Sequence, residues 1–298
     1  MEADEQGTGS VTTEGKIEGR RERRGRRRRP RPSAPSATAS TIAALDLGTN
    51  NCRLLVARPA GTDFEVVDAF SRAVRLGEGV ERSNLLTEDA QARAIKALRI
   101  CAGKIRFHRT RHHRIIATEA CRRATNAPGF ISRVEEETGL ALDVITAEEE
   151  ARLAVAGCSP LVDPAAEQLL VFDIGGGSTE LIWIDLSGAA PAERPRIVRS
   201  LSPVAGLPPE AAAGAAARIT DWISLPMGVS TLGERFAGIA GEGARFAAMS
   251  EFVEGALARF APFSAADRAE RTRGLQIIGV SGTATTFGAM HLGLRSYN

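Results

Sequence analysis

The sequence predicts an α/β protein made of two domains that face each other across a cleft. An apolar strand, an aspartate, a glycine-containing turn with hydroxyl side chains and a second apolar strand occur twice, in "TIAALDLGTNNCRLLVA" (residues 41–57) and in "VFDIGGGSTELIWID" (residues 171–185). Each hairpin is followed by alternating strands and helices, which is typical of an α/β domain. Two such domains leave a cleft between them, where ligands commonly bind.

In the first half of the chain, the hairpin is followed by a strand in "DFEVVDAFSRAVRLGEGV" and a helix in "LTEDAQARAIKALRICAGKIRFH", for which Thr87 is a suitable N-cap. A strand from Arg114 to Thr118 leads into a polar turn. A second helix, in "APGFISRVEEETGL", ends at Gly139. Thr146 is the expected N-cap of a third helix, in "ALDVITAEEEARLAVAGC". These elements predict a first domain over residues 41–158.

The second half is predicted to repeat this plan over residues 159–298. Strands are expected in "PRIVRSLSP" and in "DWISLPMGVSTLGERF", the latter leading into a helix. Residues 203–218 are rich in Ala, Pro and Gly and are expected to form a loose insertion. A helix in "RFAAMSEFVEGALARFAPF" precedes a third glycine-containing element, "LQIIGVSGTATTFGAM", which is an apolar strand that continues into a helix.

Composition indicates a cytoplasmic globular protein. The 298 residues are 43% hydrophobic and 25% charged, which is usual for such proteins. No apolar run reaches the roughly 18 residues of a membrane span, and no secretory signal precedes the folded part. The four cysteines lack the spacing of a zinc site and are expected to be reduced. The histidines of "RFHRTRHHR" are interpreted as part of a basic surface loop.

Residues 1–40 are predicted to form a disordered, arginine-rich tail. They contain ten Lys and Arg residues against six Asp and Glu residues, and residues 20–32 contain nine arginines and no apolar side chain. Such a segment cannot bury enough apolar surface to fold. Two interpretations stay open: a solvated extension, or an electrostatic arm that contacts a polyanion such as nucleic acid or polyphosphate.

The glycine-containing loops are predicted to bind phosphate. Glycine lets a ligand approach the backbone, and consecutive N–H groups with nearby hydroxyls form a pocket for an anion. Asp46 and Asp173 would repel a bare phosphate, so we interpret them as ligands of a metal ion or water that the phosphate shares. The alternative is a pair of ordinary hairpins whose glycines serve turn geometry. That alternative leaves both carboxylates beside apolar strands unexplained.

Six segments resemble, in order and spacing, the Ppx/GppA phosphatases, which are exopolyphosphatases and guanosine pentaphosphate phosphatases. They are "ALDLGTNNCRLLV", "ATEACRRATN", "VITAEEEARL", "VFDIGGGSTEL", "SLPMGVSTLGERF" and "VSGTATTFGA". The resemblance extends from residue 41 to about residue 295. It implies two actin-like ATPase-type (ribonuclease H-like) domains, as in the actin, sugar-kinase and heat-shock-chaperone superfamily, and a homodimer for the full-length form.

The same resemblance implies the roles of the site residues. Glu150 would be the general base that activates the attacking water, and Asp46 and Asp173 would hold Mg²⁺ or another divalent cation. The positions that would bind substrate are Gly48, Thr49, Asn50 and Arg53 in the first loop, Gly175, Gly176, Gly177, Ser178 and Thr179 in the second loop, Ser281, Gly282 and Thr283 in the third loop, and Arg122 facing the phosphate channel.

The residue pattern alone does not separate Glu150 from its neighbours Glu148 and Glu149, and the choice among them comes from the resemblance. A glutamate at a helix start is expected to have a lowered pKa, because the helix macrodipole favours its ionised form. Glu148 is suited to pair with Arg152 one turn later. For Arg122 the alternative is a solvated surface arginine.

The resemblance implies a metal-dependent phosphohydrolase that removes terminal phosphate from inorganic polyphosphate or guanosine pentaphosphate, and it does not rank these substrates. Two alternatives stay open, an ATP-dependent kinase or ATPase of the same superfamily and an inactive polyphosphate-binding module. The inactive-module alternative arises because the catalytic module of this family continues several dozen residues beyond the third loop. The second domain is therefore expected to be incomplete at its C-terminus, which would expose apolar surface.

Overall fold

The computed structural model describes residues 40–61, 63–201, 218–260 and 274–295. These residues form a mixed α/β structure with two β-sheets, which confirms the α/β class. The predicted pair of domains across a cleft and the incomplete second domain stay predictions. The tail predicted for residues 1–40 lies outside the described residues except for Ser40, and the insertion predicted for residues 203–218 lies outside them except for Arg218. Within the described ranges, no helix combines the length and the apolar character needed to cross a membrane.

The first sheet has five strands in the order β3-β2-β1-β4-β5. Their bounds are Ile42–Leu47 (β1), Asn51–Ala60 (β2), Asp63–Ala73 (β3), His112–Ala117 (β4) and Asp143–Val144 (β5). The first three strands form an antiparallel meander, whereas β4 is parallel to β1. Along β1 the side chains of Ala43, Leu45 and Leu47 are buried. This alternation identifies one face of the sheet as the core face.

Helices cover that core face. The described helices of the first half are Val80–Ser83 (α1), Glu88–Phe107 (α2), Glu119–Arg123 (α3) and Ala127–Thr138 (α4). The Thr87 side chain accepts a hydrogen bond from the Ala90 amide, and α4 ends at Gly139 with a left-handed φ of 73°. Both predicted ends are confirmed. The turn predicted after β4 contains the short helix α3.

The second sheet has four strands in the order β8-β7-β6-β9. They are Gln168–Ile174 (β6), Thr179–Asp185 (β7), Arg218–Leu225 (β8) and Leu275–Val280 (β9). The second predicted hairpin is β6-β7, and β9 runs parallel to β6. On β6, Val171 packs into one apolar cluster and Leu170 into the cluster on the opposite face. Burial on both faces explains why these strands are apolar without alternation.

Five further α-helices follow in the described ranges. They are Ala147–Cys158 (α5), Arg194–Ser200 (α6), Val229–Arg235 (α7), Glu242–Leu257 (α8) and Ser281–His291 (α9). Thr146 caps α5 by accepting from the Glu149 amide, as predicted. The buried face of α5 joins the core of the second sheet. The domain boundary at residue 158 stays a prediction.

The strand predicted in "PRIVRSLSP" is wrong, because its described residues, 195–201, form α6 and the turn at Leu201. Val198 and Leu201 are buried three residues apart and share one core cluster, which is a helical spacing. Pro195 lies in the first turn of the helix, where an N–H group would have no intrahelical partner, so its absence costs nothing.

Candidate active site

The predicted loops meet at one open cavity of about 370 Å³ at the ends of the two hairpins. Twelve of the sixteen predicted site residues line it: Asp46, Gly48, Thr49, Asn50, Arg53, Glu150, Asp173, Gly175, Gly176, Gly177, Ser178 and Ser281. The turn ends of the two sheets lie side by side at this cavity, which brings together residues from distant parts of the chain.

The first two loops have the same construction. The Gly48 amide donates to the Asn51 carbonyl at 2.9 Å, and the Gly175 amide donates to the Ser178 carbonyl at 3.0 Å. The loops also touch each other. A Cβ atom on Gly177 would lie 2.6 Å from the Thr49 hydroxyl oxygen, which no side chain could tolerate without movement. Glycine at this position is needed for the close approach of the two loops.

The third loop begins α9 and is anchored to the end of β6. The hydroxyls of Ser281 and Thr283 donate to the Ile174 carbonyl at 3.0 and 2.8 Å. Ser281 has a φ of 71°, a left-handed conformation that is uncommon for residues other than glycine. Gly282 and Thr283 line a neighbouring cavity of about 350 Å³ rather than the main one. A Cβ atom on Gly282 would lie 3.1 Å from an Arg53 guanidinium nitrogen, so Arg53 reaches the third loop from β2.

Asp46 and Asp173 end the inner strands of the two hairpins and are largely buried. Burial raises the pKa of Asp46 to about 6, although Arg53 opposes the shift. Burial likewise raises the pKa of Asp173. The Asp173 Oδ1 atom is buried and has no hydrogen-bond partner in the described part of the chain. An orphaned buried carboxylate oxygen is costly, and this one fits a bound cation or water.

The donor set suits Mg²⁺ better than a metal held by protein ligands alone. Among the described residues, no group of three or more His, Cys, Asp or Glu side chains is arranged to hold a metal. Mg²⁺ commonly uses one or two carboxylates and completes its shell with water and phosphate oxygens. Asp46 and Asp173 satisfy that requirement.

Glu150 lies in the first turn of α5 and lines the cavity. Its carboxylate is 2.8 Å from the Arg122 guanidinium. The lowered pKa predicted for Glu150 is wrong. Burial raises this pKa more than Arg122 lowers it, and the negative charges of Asp46 and Asp173 add to the increase.

The two preceding glutamates point to other partners. Glu148 pairs with Arg152 at 3.0 Å, as predicted, and Glu149 pairs with Arg114. Neither lines the cavity. The geometry thus distinguishes Glu150 from its neighbours, which the residue pattern alone could not do.

Arg122 and Thr179 do not line the cavity. Besides Glu150, Arg122 pairs with Glu119 at 2.9 Å and donates to the Ile145 carbonyl at 2.9 Å. The Thr179 hydroxyl donates to the Met227 carbonyl at 2.7 Å and ties β7 to the segment before α7. Both side chains hold other parts of the protein in place.

The histidines lie away from the cavity. The His108 ring nitrogen is 2.9 Å from the Asp68 carboxylate, and His112 and His113 are exposed at the start of β4. The four cysteines are buried and free.

Glu180 is a buried carboxylate that the sequence interpretation missed. It is 1% exposed and lies opposite Asp173 in the β6-β7 register. The Ser224 hydroxyl donates to it at 2.8 Å, and burial raises its pKa to about 7. The available signal was a glutamate at the start of the otherwise apolar stretch "ELIWI".

Two hairpin loops that follow strand carboxylates, a third loop at a helix start and a glutamate beside them surround one cavity of an α/β protein. Consecutive loop amides and hydroxyls of this kind suit an anion such as phosphate. The model of the Ppx/GppA phosphatase family matches residues 55–291. The chain belongs to this family, as the six segments predicted.

Solved structures agree with this assignment. An exopolyphosphatase-like protein is 29% identical, with a TM-score of 0.66 over 87% of this chain and 71% of that chain. The Aquifex aeolicus member of the Ppx/GppA family is 26% identical, with a TM-score of 0.59 over 87% of this chain and 72% of that chain. An exopolyphosphatase from Cytophaga hutchinsonii shares the fold at 24% identity, with a TM-score of 0.66 over 87% and 73% of the two chains.

Proposed function

We propose that the chain is a divalent-metal-dependent phosphohydrolase that removes the terminal phosphate of inorganic polyphosphate, guanosine pentaphosphate or both. One observation carries the proposal: the first two glycine loops, Ser281 of the third loop, and the carboxylates of Asp46, Asp173 and Glu150 all line a single cavity. The family of phosphatases to which the chain belongs supports the same class of reaction.

The three loops are proposed to bind the substrate. Backbone amides and the hydroxyls of Thr49 and Ser178 offer hydrogen bonds to phosphate oxygens, and the Arg53 guanidinium supplies positive charge between the first and third loops. Phosphoryl transfer depends mainly on such positioning and on charge neutralisation. A chain of phosphates has repeated oxygens for these donors.

Asp46 and Asp173 are the residues that would hold Mg²⁺, which neutralises charge on the phosphate oxygens when bound. Their place at the ends of β1 and β6 keeps the two carboxylates on opposite hairpins of the same cavity. The orphaned Asp173 Oδ1 atom supports this role.

Glu150 is proposed to accept a proton from the attacking water. The water oxygen attacks the terminal phosphorus, the phosphoanhydride P–O bond breaks, and the shortened chain leaves with the bridging oxygen. A carboxylate whose pKa is raised by burial is a stronger base than an exposed one while it stays ionised. Arg122 keeps the carboxylate oriented at 2.8 Å.

A panel of three substrates tests the proposal. The chain is incubated with long-chain polyphosphate, guanosine pentaphosphate and ATP, each with Mg²⁺, and phosphate release is measured. We expect release from one or both of the first two substrates to exceed release from ATP. Preferential release from ATP would support the kinase or ATPase alternative. Binding of polyphosphate without turnover would support the inactive binding module.

Three further expectations stay proposals: a homodimer of the full-length form, a cytoplasmic location, and contact between the arginine-rich tail and polyanions.

A further inference from the structure

Helix α7 is fixed at its start to the second phosphate loop. The amides of Val229 and Ser230 donate to the carbonyls of Gly175 and Gly176 at 3.0 and 2.9 Å. Gly228 permits this approach, because a Cβ atom there would lie 2.5 Å from the Gly175 carbonyl oxygen. Any movement of α7 must therefore move this loop or break these hydrogen bonds.

The other end of α7 is bound to the first half of the chain. Arg235 forms an ion pair with Glu81 of α1, with an Nε–carboxylate distance of 2.8 Å. The adjacent Glu234 carboxylate accepts a hydrogen bond from the Gly79 amide at 2.9 Å. These contacts join residues about 155 positions apart in sequence.

The ion pair is held in place on both sides. Glu81 has a side-chain exposure of only 9% and also pairs with Arg123 at 2.8 Å. The Arg235 guanidinium lies over the Phe252 ring at 4.6 Å. Arg235 donates a charge-assisted hydrogen bond to this shielded carboxylate, and Arg123 adds a second positive charge at ion-pair distance. Such a pair is stronger than an exposed one.

Helix α1 is connected in turn to the first phosphate loop. The Gly77 amide donates to the Thr49 carbonyl at 2.9 Å. A Cβ atom on Gly77 would lie 2.3 Å from the Thr49 methyl group, so the segment before α1 packs directly on the loop. A continuous set of contacts therefore links the second loop, α7, α1 and the first loop.

We propose that Glu81, Glu234 and Arg235 form a latch that sets the spacing of the first two phosphate loops. None of the three lines the cavity, so they are positioning residues that act through the loops. The expected effect on KM rests on the proposed function, whereas the latch itself is a property of the fold.

The latch predicts a specific kinetic change. Without it, a smaller fraction of molecules has both loops in place, and apparent affinity falls by that fraction. Saturating substrate restores the closed arrangement because it contacts both loops. We expect Arg235→Gln to raise KM for polyphosphate by about tenfold or more and to change kcat by less than about threefold.

Hydrogen exchange tests the latch without reference to turnover. Arg235→Gln should speed amide exchange across residues 77–83 and 229–231 by about tenfold, and tripolyphosphate with Mg²⁺ should reverse the change. The matched control is Arg58→Gln, which breaks an exposed pair with Glu65 inside the first sheet. It should leave exchange in both segments and KM unchanged.

Further variants keep the test decisive if Arg235→Gln folds poorly. Arg235→Lys should recover part of the affinity, and Glu234→Gln, which keeps an acceptor oxygen for the Gly79 amide, should be milder than Glu234→Ala. When Glu81→Gln has already broken the ion pair, Arg235→Gln should raise KM further by less than about twofold. Unchanged exchange in both segments in Arg235→Gln and Glu234→Ala would overturn the latch, whatever the activity of the chain. Faster exchange in a chain that releases no phosphate would contradict only the proposed function.

Discussion

The guanidinium of Arg122 lies 2.8 Å from the carboxylate of Glu150, so this partly buried glutamate has a cation from α3 beside it. Burial raises the pKa of Glu150, Asp46 and Asp173 raise it further, and Arg122 opposes them. A raised pKa means that the carboxylate becomes protonated, and loses its function as a base, at a higher pH than an exposed glutamate would. The Arg122–Glu150 pair therefore contributes to the lower pH limit of the proposed reaction, together with Asp46, whose pKa is raised to about 6.

Replacing Arg122 by Gln should move that limit to higher pH. Loss of the cation leaves burial and the neighbouring carboxylates unopposed, so the pKa of Glu150 rises further. We expect the loss of kcat to be largest at the acidic end of the profile and to become smaller as the pH increases. A pH–rate profile measures this, with Arg152→Gln as the control because Arg152 pairs with Glu148. An equal loss at every pH would show that Arg122 acts on the substrate instead.

Replacing Asp173 by Asn should raise the Mg²⁺ concentration needed for half-maximal activity. The variant keeps the size of the side chain but removes the charge of a carboxylate whose Oδ1 atom is buried without a hydrogen-bond partner among the described residues. We expect slower turnover as well, and a Mg²⁺ titration measures both effects. Asp63→Asn, at an exposed position on β3, should not alter the titration. An unchanged curve for the Asp173 variant would exclude Asp173 from the metal site.

Replacing Gly177 by Ala should separate the first two loops. The new methyl group would lie 2.6 Å from the Thr49 hydroxyl and 3.0 Å from the Glu119 side chain. We expect kcat/KM to fall by about tenfold or more and the melting temperature to decrease. Gly129→Ala on α4 is the control, since a Cβ atom there meets nothing within 4 Å, and alanine in a helix should stabilise the protein slightly. Equal activity in the two variants would contradict the close packing of the loops.

Deleting residues 1–38 should weaken binding of long polyphosphate at low salt. This segment includes the nine arginines of residues 20–32, and electrostatic attraction of a long polyanion falls as salt screens it. A short substrate such as guanosine pentaphosphate cannot contact the tail and the cavity together, so its KM should barely change. Measuring KM for both substrates at low and high salt decides between the two interpretations of the tail. Equal KM values for long polyphosphate at low salt would leave the tail a passive extension.

Local sequence patterns predict much of the fold because helix caps and tight turns depend only on residues that are close in sequence. Thr87 and Thr146 cap helices because their hydroxyls reach amides three residues later, and that geometry needs no tertiary information. The two Asp–Gly hairpins were predictable for the same reason. The strand predicted at residues 195–203 failed because a short apolar run fits a strand or a helix, and only packing of Val198 and Leu201 against the second sheet decides between them.

The site was harder to predict where burial decides the chemistry. The macrodipole of α5 alone favours the ionised form of Glu150, whereas its pKa depends on the elements that bury it and on Arg122. Glu180 was missed because its partner Ser224 lies on β8 and its neighbour Asp173 on β6. Such cross-strand relationships become visible only when the register is known.

Glu150 is proposed to activate water for attack on a terminal phosphate in this cavity. Replacing Glu150 by Gln, which has the same shape and cannot accept the proton, tests it most directly. We expect kcat for phosphate release to fall by at least about 100-fold with little change in substrate affinity. Glu149→Gln, one residue away and paired with Arg114 outside the cavity, should retain nearly full activity. Equal loss in the two variants, or full activity in Glu150→Gln, would contradict the account.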